Sequence, residues 1–234
     1  MKMKSLAVAT VLAASSGLAV AAPYQAEVGA SYTDVEHGDG AFGMYGEFHF
    51  NPVQTRNHPL AEAAFLERST NVYAAAADDF DALTVGGELY IPDTMFYVGA
   101  RISRWDYGND DDTTVYATLG LTPIDGLLVT TEFSDDGYDA NIAAKYVTSL
   151  GGGNFINLEG QYYDGDYDDY VSVGADFYFD RTWSVGAAAT DNFGDDQFTL
   201  RTEKFFTEYV SGRLAYTDSD FAGDTFTIGA AVRF

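Results

Sequence analysis

Nucleophilic and redox chemistry have little to work with in this chain. Its 234 residues include no cysteine and three histidines. The lack of cysteine removes disulfides, thiolate metal sites and a lipid-bearing N-terminal thiol together. A Ser-His-acid set needs a histidine within reach of a serine and a carboxylate. His37 stands in an acidic, Gly-rich stretch, His58 in a turn-like one, and His49 near the end of an alternating run with no serine clearly set beside it. No catalytic residue is therefore assigned. Asp164, Asp166 and Asp168 imitate the first ligands of an EF-hand loop, but Asp169 occupies the required glycine position and Ala175 that of the bidentate glutamate. No metal site and no cofactor are assigned, and the acidic clusters read first as solvated loops, with loose divalent binding as the alternative.

The other residues able to do chemistry are charged ones at regular spacing: Glu27, Glu47, Glu88, Arg101, Glu132, Lys145, Glu159, Asp176, Arg201, Glu203, Arg213 and Arg233. Each falls on the polar side of a two-residue repeat. Tyr24, Ala26, Val28, Ala30 and Tyr32 alternate with Gln25, Glu27, Gly29 and Ser31, and Phe42, Met44, Gly46, Phe48 and Phe50 alternate with Gly43, Tyr45, Glu47 and His49. A period of two is that of a β-strand, whose side chains point alternately to opposite faces. Counting such runs, with a weaker one around Asn71 to Ala76, predicts about fourteen strands, an even number as expected when both ends of a bacterial barrel lie on the periplasmic side.

The connections between runs also alternate. Acidic, Gly-rich stretches (Asp34 to Gly40, Asp78 to Asp81, Asp106 to Asp112, Asp135 to Asp139, Asp164 to Asp169, Asp191 to Asp196, Asp218 to Asp224) take turns with tight ones such as Pro92-Asp93, Pro123-Ile124-Asp125-Gly126, Gly151-Gly152-Gly153 and Asp180-Arg181-Thr182. From Asp106 onward the acidic clusters recur roughly every 28 residues, which is two strands, a loop and a turn. The chain carries 36 acidic against 12 basic residues, a formal charge of -24, with 47% hydrophobic and 15% aromatic content. So acidic a chain is an implausible nucleic-acid partner. Its apolar content argues against disorder, which places the charge at one rim of a folded body.

One segment breaks the beat. Pro59-Leu60-Ala61-Glu62-Ala63-Ala64-Phe65-Leu66-Glu67-Arg68 has proline at its start, good helix formers after it and no alternation. It predicts a short helix at the turn end, beneath the barrel or folded into its mouth, with a ragged strand start as the alternative. At the N-terminus, Lys2 and Lys4 precede an apolar run from Leu6 to Val20 and the small-residue site Ala19-Val20-Ala21, the layout of a secretory leader cleaved before Ala22. A membrane anchor is the alternative, although the run is short and rich in Ala, Ser and Thr. The chain thus divides into residues 1–21, a signal peptide, and 22–234, one all-β domain.

Alternation fits a soluble sandwich as well as a membrane barrel, and three features favour the barrel. Aromatic residues, among them Tyr24, Tyr32, Phe48, Phe50, Tyr90, Phe96, Trp105, Phe179 and Trp183, gather near strand ends as interfacial girdles require. The polar face is rich in small residues with occasional charges, suited to a crowded lumen. Phe226, Ile228, Ala230, Val232 and Phe234 end the sequence in mid-alternation and look like the C-terminal assembly signal of bacterial outer-membrane proteins. The segment Phe50-Asn51-Pro52-Val53-Gln54 with Pro59 to Leu66, and the opening Tyr24 to Tyr32, resemble a porin family of proteobacterial outer-membrane proteins, and the likeness runs more loosely over the mature chain.

The resemblance implies a Gram-negative outer-membrane pore of unspecified substrate, meeting lipid, lipopolysaccharide and the barrel-assembly machinery. Compared with large trimeric porins, the chain is short and lacks a long constricting loop, so their trimer and eyelet residues are not carried over; a monomer is the simpler expectation. The expected fold is a closed antiparallel transmembrane β-barrel of about fourteen strands, a count between about eight, which side chains can fill, and sixteen or more, which leave an aqueous channel. The expected function is a passive, low-conductance, weakly cation-preferring channel for ions and small hydrophilic solutes. The twelve charged residues then either line the pore or brace its wall as salt bridges, and a barrel closed by its own side chains and the Pro59 to Arg68 helix is the alternative. Divalent ions bridging lipopolysaccharide phosphates are a further option for the acidic rim.

Overall fold

A computed structural model describes residues 23–36, 38–106, 111–135, 141–163, 170–192, 195–220 and 223–234, without the side chains of Asp111 and Asn192. The expected leader, His37 and the Asp164 to Asp169 cluster lie outside the described residues. The chain forms β1 (Tyr24–Val35), β2 (Ala41–Val53), β3 (Asn71–Ala77), β4 (Ala82–Tyr90), β5 (Phe96–Asp106), β6 (Asp111–Leu121) and β7 (Leu127–Ser134). It continues through β8 (Asn141–Gly151), β9 (Asn154–Tyr163), β10 (Tyr170–Asp180), β11 (Trp183–Asn192), β12 (Asp195–Phe205), β13 (Val210–Ser219) and β14 (Thr225–Arg233). Each strand pairs with the next, and β14 pairs antiparallel with β1 to close the barrel. Closure satisfies every strand edge, the condition for crossing hydrocarbon with β-structure.

The two-residue repeat is carried into three dimensions as expected. Val173, Leu119 and Ile228 are 56%, 53% and 52% exposed on their strands, while their chain neighbours Ser172, Thr118 and Thr227 are more covered. An apolar exterior and a polar interior invert the arrangement of a water-soluble protein and match the two faces of a membrane barrel. Phe179 meets Phe177 edge to face at 5.0 Å and Trp183 at a tilt at 4.8 Å at the turn end, and Phe48 meets Phe50 at 6.0 Å there. Tyr32, Phe42, Phe198, Tyr216 and Phe226 are exposed toward the opposite end. These are two aromatic girdles.

The described connections at one end come from the acidic stretches; those at the other are mostly tight turns. Asp93 adopts φ 59° after Pro92, and Gly126 adopts φ 76°, the left-handed conformations that such turns demand. At Gly126 a Cβ would stand 2.1 Å from the Val147 carbonyl oxygen, so the position is closed to other residues. In bacterial outer-membrane barrels the short turns lie at the periplasmic end and the longer loops outside.

Two girdle assignments need correction. Tyr24 and Tyr90 are buried inside the barrel, 3% and 8% exposed. For Tyr24 the cause is a bulge: the amides of Gln25 and Ala26 both donate to the Phe234 carbonyl at 2.9 Å, and the β1–β2 register shifts between Tyr24 and Ala26. An extra residue in one strand reverses which face its neighbours present. Tyr24 therefore turns inward onto Val53 and Ala63.

Candidate functional site

The segment between β2 and β3 does not hang beneath the barrel. It folds into the tight-turn mouth as a 3-10 turn, Leu60–Glu62, running into α1, Ala63–Leu66. Leu60 and Ala63 are fully buried, because the apolar side of this short element packs on Tyr24 and Val53. Its backbone is tied to several strands: the Leu60 amide donates to the Arg181 carbonyl at 2.7 Å, Arg233 Nη1 donates to the Leu60 carbonyl at 2.7 Å, and Arg181 Nε donates to the His58 carbonyl at 3.0 Å. Arg181 Nη2 also donates to the Thr55 carbonyl. Its exit is held by Ser69, whose hydroxyl lies 3.0 Å from Nδ1 of the buried His49. Arg68 reaches Asp125 of the β6–β7 turn at 3.4 Å. The anchors lie on β1, β2 and β14 on one side and on β8, β10 and turns beyond on the other, so the segment spans the mouth as a plug.

Above the plug, the sequence-predicted charges all stand on inward positions, and most of them fall into three ion-paired groups. Arg233 pairs with Glu27, its register partner across β1 and β14, and lies 4.5 Å from the ring centres of both Tyr24 and Phe205. Arg101 binds Glu132 with two hydrogen bonds of 2.9 and 2.8 Å, Thr118 donates to the same carboxylate at 3.1 Å, and the guanidinium covers the Tyr116 ring at 3.6 Å. The third group is a chain. Lys145 reaches Glu159 at 3.3 Å, Glu159 reaches Arg201 at 3.2 Å, and Arg201 grips Asp176 through Nε and Nη2 at 2.7 and 2.6 Å. Asn157 donates to Glu159 at 2.8 Å and to Asp176 at 3.1 Å, filling the space between them.

Glu47, Glu88, Glu203 and Arg213 stand apart from these groups. Glu47 lies 3.5 Å from His49, and Glu88 takes a long 3.4 Å hydrogen bond from Asn71. Arg213 lies over the Tyr45 ring at 5.6 Å. Among the described residues, neither Glu203 nor Arg213 is in a salt bridge.

Reasoning from sequence missed Glu62, Tyr178 and the inward Tyr24. Glu62 is buried within the plug, where Lys145 approaches it at 2.8 Å and the Tyr178 hydroxyl donates to it at 2.8 Å. A lone carboxylate inside an apolar helix that must enter a barrel requires a cation on the facing wall, a signal available in the sequence once the plug's location is known. The inner wall and the plug leave a cavity of about 420 Å³ lined by residues that include Glu62, Asp176, Arg201, Glu203 and Arg213. A second space of about 240 Å³ lies against Thr130, Lys145, Glu159 and Ser172. Glu159 borders both.

At the acidic rim, Asp218 and Asp220 are exposed, and Asp224 accepts a hydrogen bond of 2.7 Å from the Tyr216 hydroxyl. Carboxylates gathered in this way give the loop end a negative surface potential. Among the described residues no group of three or more His, Cys, Asp or Glu is placed to hold a metal ion.

A closed barrel with an apolar exterior, two aromatic girdles and a charged interior is an outer-membrane β-barrel of the porin class. The sequence profile described as "Putative general bacterial porin" matches residues 2–122 and 113–234, and the chain belongs to that family. Among solved structures it is similar to the outer membrane protein Omp33 of Acinetobacter baumannii, with a TM-score of 0.80 at 23% identity over 92% of this chain and 100% of that one. It is also similar to a triply substituted porin of Rh. blastica, with a TM-score of 0.50 at 9% identity over 91% and 99% of the two chains. At such identities the likeness concerns the fold. No curated protein sequence matches the chain.

Proposed function

We propose that this outer-membrane porin is a passive channel of low conductance and weak cation preference for ions and small hydrophilic solutes. The observation that carries the reading is the plug: a segment tied to both sides of the turn-end mouth, with a polar cavity of about 420 Å³ above it. A lumen narrowed at one end passes little current even when continuous. Cation preference follows from charge. The lumenal carboxylates, Glu62 included, outnumber the lumenal cations Arg101, Lys145, Arg201, Arg213 and Arg233, and the loop end adds Asp218, Asp220 and Asp224. An acidic mouth concentrates cations, although salt screens exposed charges beyond roughly 8 Å at physiological ionic strength.

In this reading Glu47, Glu88, Glu203 and Arg213 face the permeating solute, while the paired residues stiffen the wall. Residues 1–21 act as a leader removed on export, and Phe226, Ile228, Ala230, Val232 and Phe234 serve the assembly machinery. The polar half of the wall then never meets lipid, where a basic residue at mid-depth costs about 2–4 kcal/mol.

The same plug favours a second reading, a structural barrel sealed by its own segment. Planar-bilayer recording of refolded protein separates the two. Stable small steps, with a reversal potential of the cation-selective sign in a KCl gradient, support the channel, and silence over long recordings supports the seal.

A further inference from the structure

We infer that the cavity above the plug favours small zwitterions of the amino-acid type, with Arg213 receiving the carboxylate and Glu203 the ammonium; the inference rests on reading the barrel as a channel. Glu203 and Arg213 oppose each other directly across β12 and β13 and border the same cavity. Two other acid–base pairs in the lumen are opposed in the same way, Glu27 with Arg233 and Lys145 with Glu159, and both close into ion pairs. Glu203 and Arg213 do not. The Arg213 guanidinium leans instead toward the Tyr45 ring at 5.6 Å, and the Glu203 carboxylate takes the Ser211 hydroxyl. Residues directly opposed in an antiparallel pair have Cβ atoms about 5 Å apart, so the two charges stay neighbours without neutralising each other.

This arrangement sorts solutes by charge pattern. A neutral polyol gains hydrogen bonds but no charge attraction from either group, a simple cation is drawn to Glu203 and repelled by Arg213, and a simple anion meets the reverse. A molecule with ammonium and carboxylate on one carbon can satisfy both together. The rest of the cavity leaves this site distinct, because Asp176 and Arg201 are already bound to each other at 2.6 Å and Glu62 is held by Lys145.

The test is swelling of proteoliposomes in isosmotic L-alanine and in glycerol, which are similar in size and differ in charge pattern. Wild-type protein is expected to admit alanine about threefold faster than glycerol, a ratio in keeping with weak solvated ionic contacts. R213Q and, separately, E203Q should bring the alanine-to-glycerol ratio to near one, while R213K keeps most of the preference. Heat-modifiable gel mobility verifies that each variant forms its barrel, and E203Q stands in if R213Q does not. Equal wild-type rates, or a preference that survives both R213Q and E203Q, overturn the inference and leave the channel intact. No swelling in either solute overturns the channel reading and the inference with it.

Discussion

Lys145 of the barrel wall meets Glu62 of the plug at 2.8 Å, and the same ammonium lies 5.1 Å from the plug's Phe65 ring. One wall residue thus holds the plug by charge and by an aromatic face, on the side opposite the Arg233 anchor. Glu62 is nearly buried and Lys145 about a third exposed. Removing one partner leaves a carboxylate with a hydroxyl as its remaining support, a loss on the order of 2 kcal/mol once water near Lys145 is allowed for.

Lys145→Met is therefore expected to loosen the plug without unfolding the barrel. In bilayers it should raise the open fraction by about thirtyfold, the factor that ~2 kcal/mol corresponds to, with unchanged heat-modifiable mobility. Lys145→Arg should behave much like wild type. Single-channel traces identical for K145M and wild-type protein would show that the plug's hold lies elsewhere.

The exterior makes a sharper demand. Val173 is half exposed on the outer face of β10, in its loop-end half, so Val173→Arg places a charge against the hydrocarbon. A loss of about 1–2 kcal/mol, between the midplane and interface costs, is expected in urea unfolding from lipid vesicles. Ser172→Arg, one residue along, points inward and should lose much less. Equal losses at the two positions would contradict the assignment of faces.

Strand number, facing and the alternation of turns with acidic loops are legible in the sequence because they depend on local period and turn chemistry. Val173 and Leu119 are placed outward, and Glu159 and Arg201 inward, by the two-residue repeat alone. Features that escape the sequence depend on contacts between distant parts. The bulge at Gln25 and Ala26 is set by one carbonyl, that of Phe234, at the far end of the chain, and it alone reverses Tyr24. The helix around Pro59 to Arg68 is legible as a helix. That it enters the mouth instead of lying under it is fixed by partners such as Arg181, Arg233 and Lys145, whose meeting is a consequence of closure. Likewise the twelve charges are legible as inward-facing, but which of them pair depends on register across strands.

Selectivity should respond to the carboxylates outside the three ion-paired groups. Glu47 and Glu88 lack an Arg or Lys partner in the salt bridges found among the described residues, and Asn71, opposite Glu88 in register, offers Glu88 a hydrogen bond of 3.4 Å. The double substitution Glu47→Gln with Glu88→Gln removes two lumenal negative charges with little change of shape. The reversal potential in a KCl gradient should move toward zero, and more so at low salt, where screening is weaker. Glu132→Gln is the contrasting case: it strips Arg101 of its bidentate partner, so it should lower stability as well as alter selectivity. A reversal potential untouched by the double substitution would place the selective charges at the loop rim.

The backbone of Phe234 and its ring can be tested apart, by comparing a substitution with a deletion. Phe234 closes the ring of strands: its amide donates to the Ala26 carbonyl at 2.9 Å, and its carbonyl accepts from Gln25 and Ala26. Its side chain is 65% exposed and adds little packing, so the ring is available to a partner while the backbone serves the fold. Phe234→Ala keeps the closing hydrogen bonds and removes the ring, whereas deletion removes both. If the terminal phenylalanine is read during assembly, Phe234→Ala should lower the amount of barrel reaching the outer membrane in cells, with export and leader cleavage intact, yet refold in detergent as well as wild type. The deletion should fail on both counts, because net backbone hydrogen bonds of about 1 kcal/mol each are lost at the closure. Normal outer-membrane assembly of Phe234→Ala, measured by heat-modifiable mobility in isolated membranes, would mean that the ring carries no signal and that Phe234 matters through its backbone.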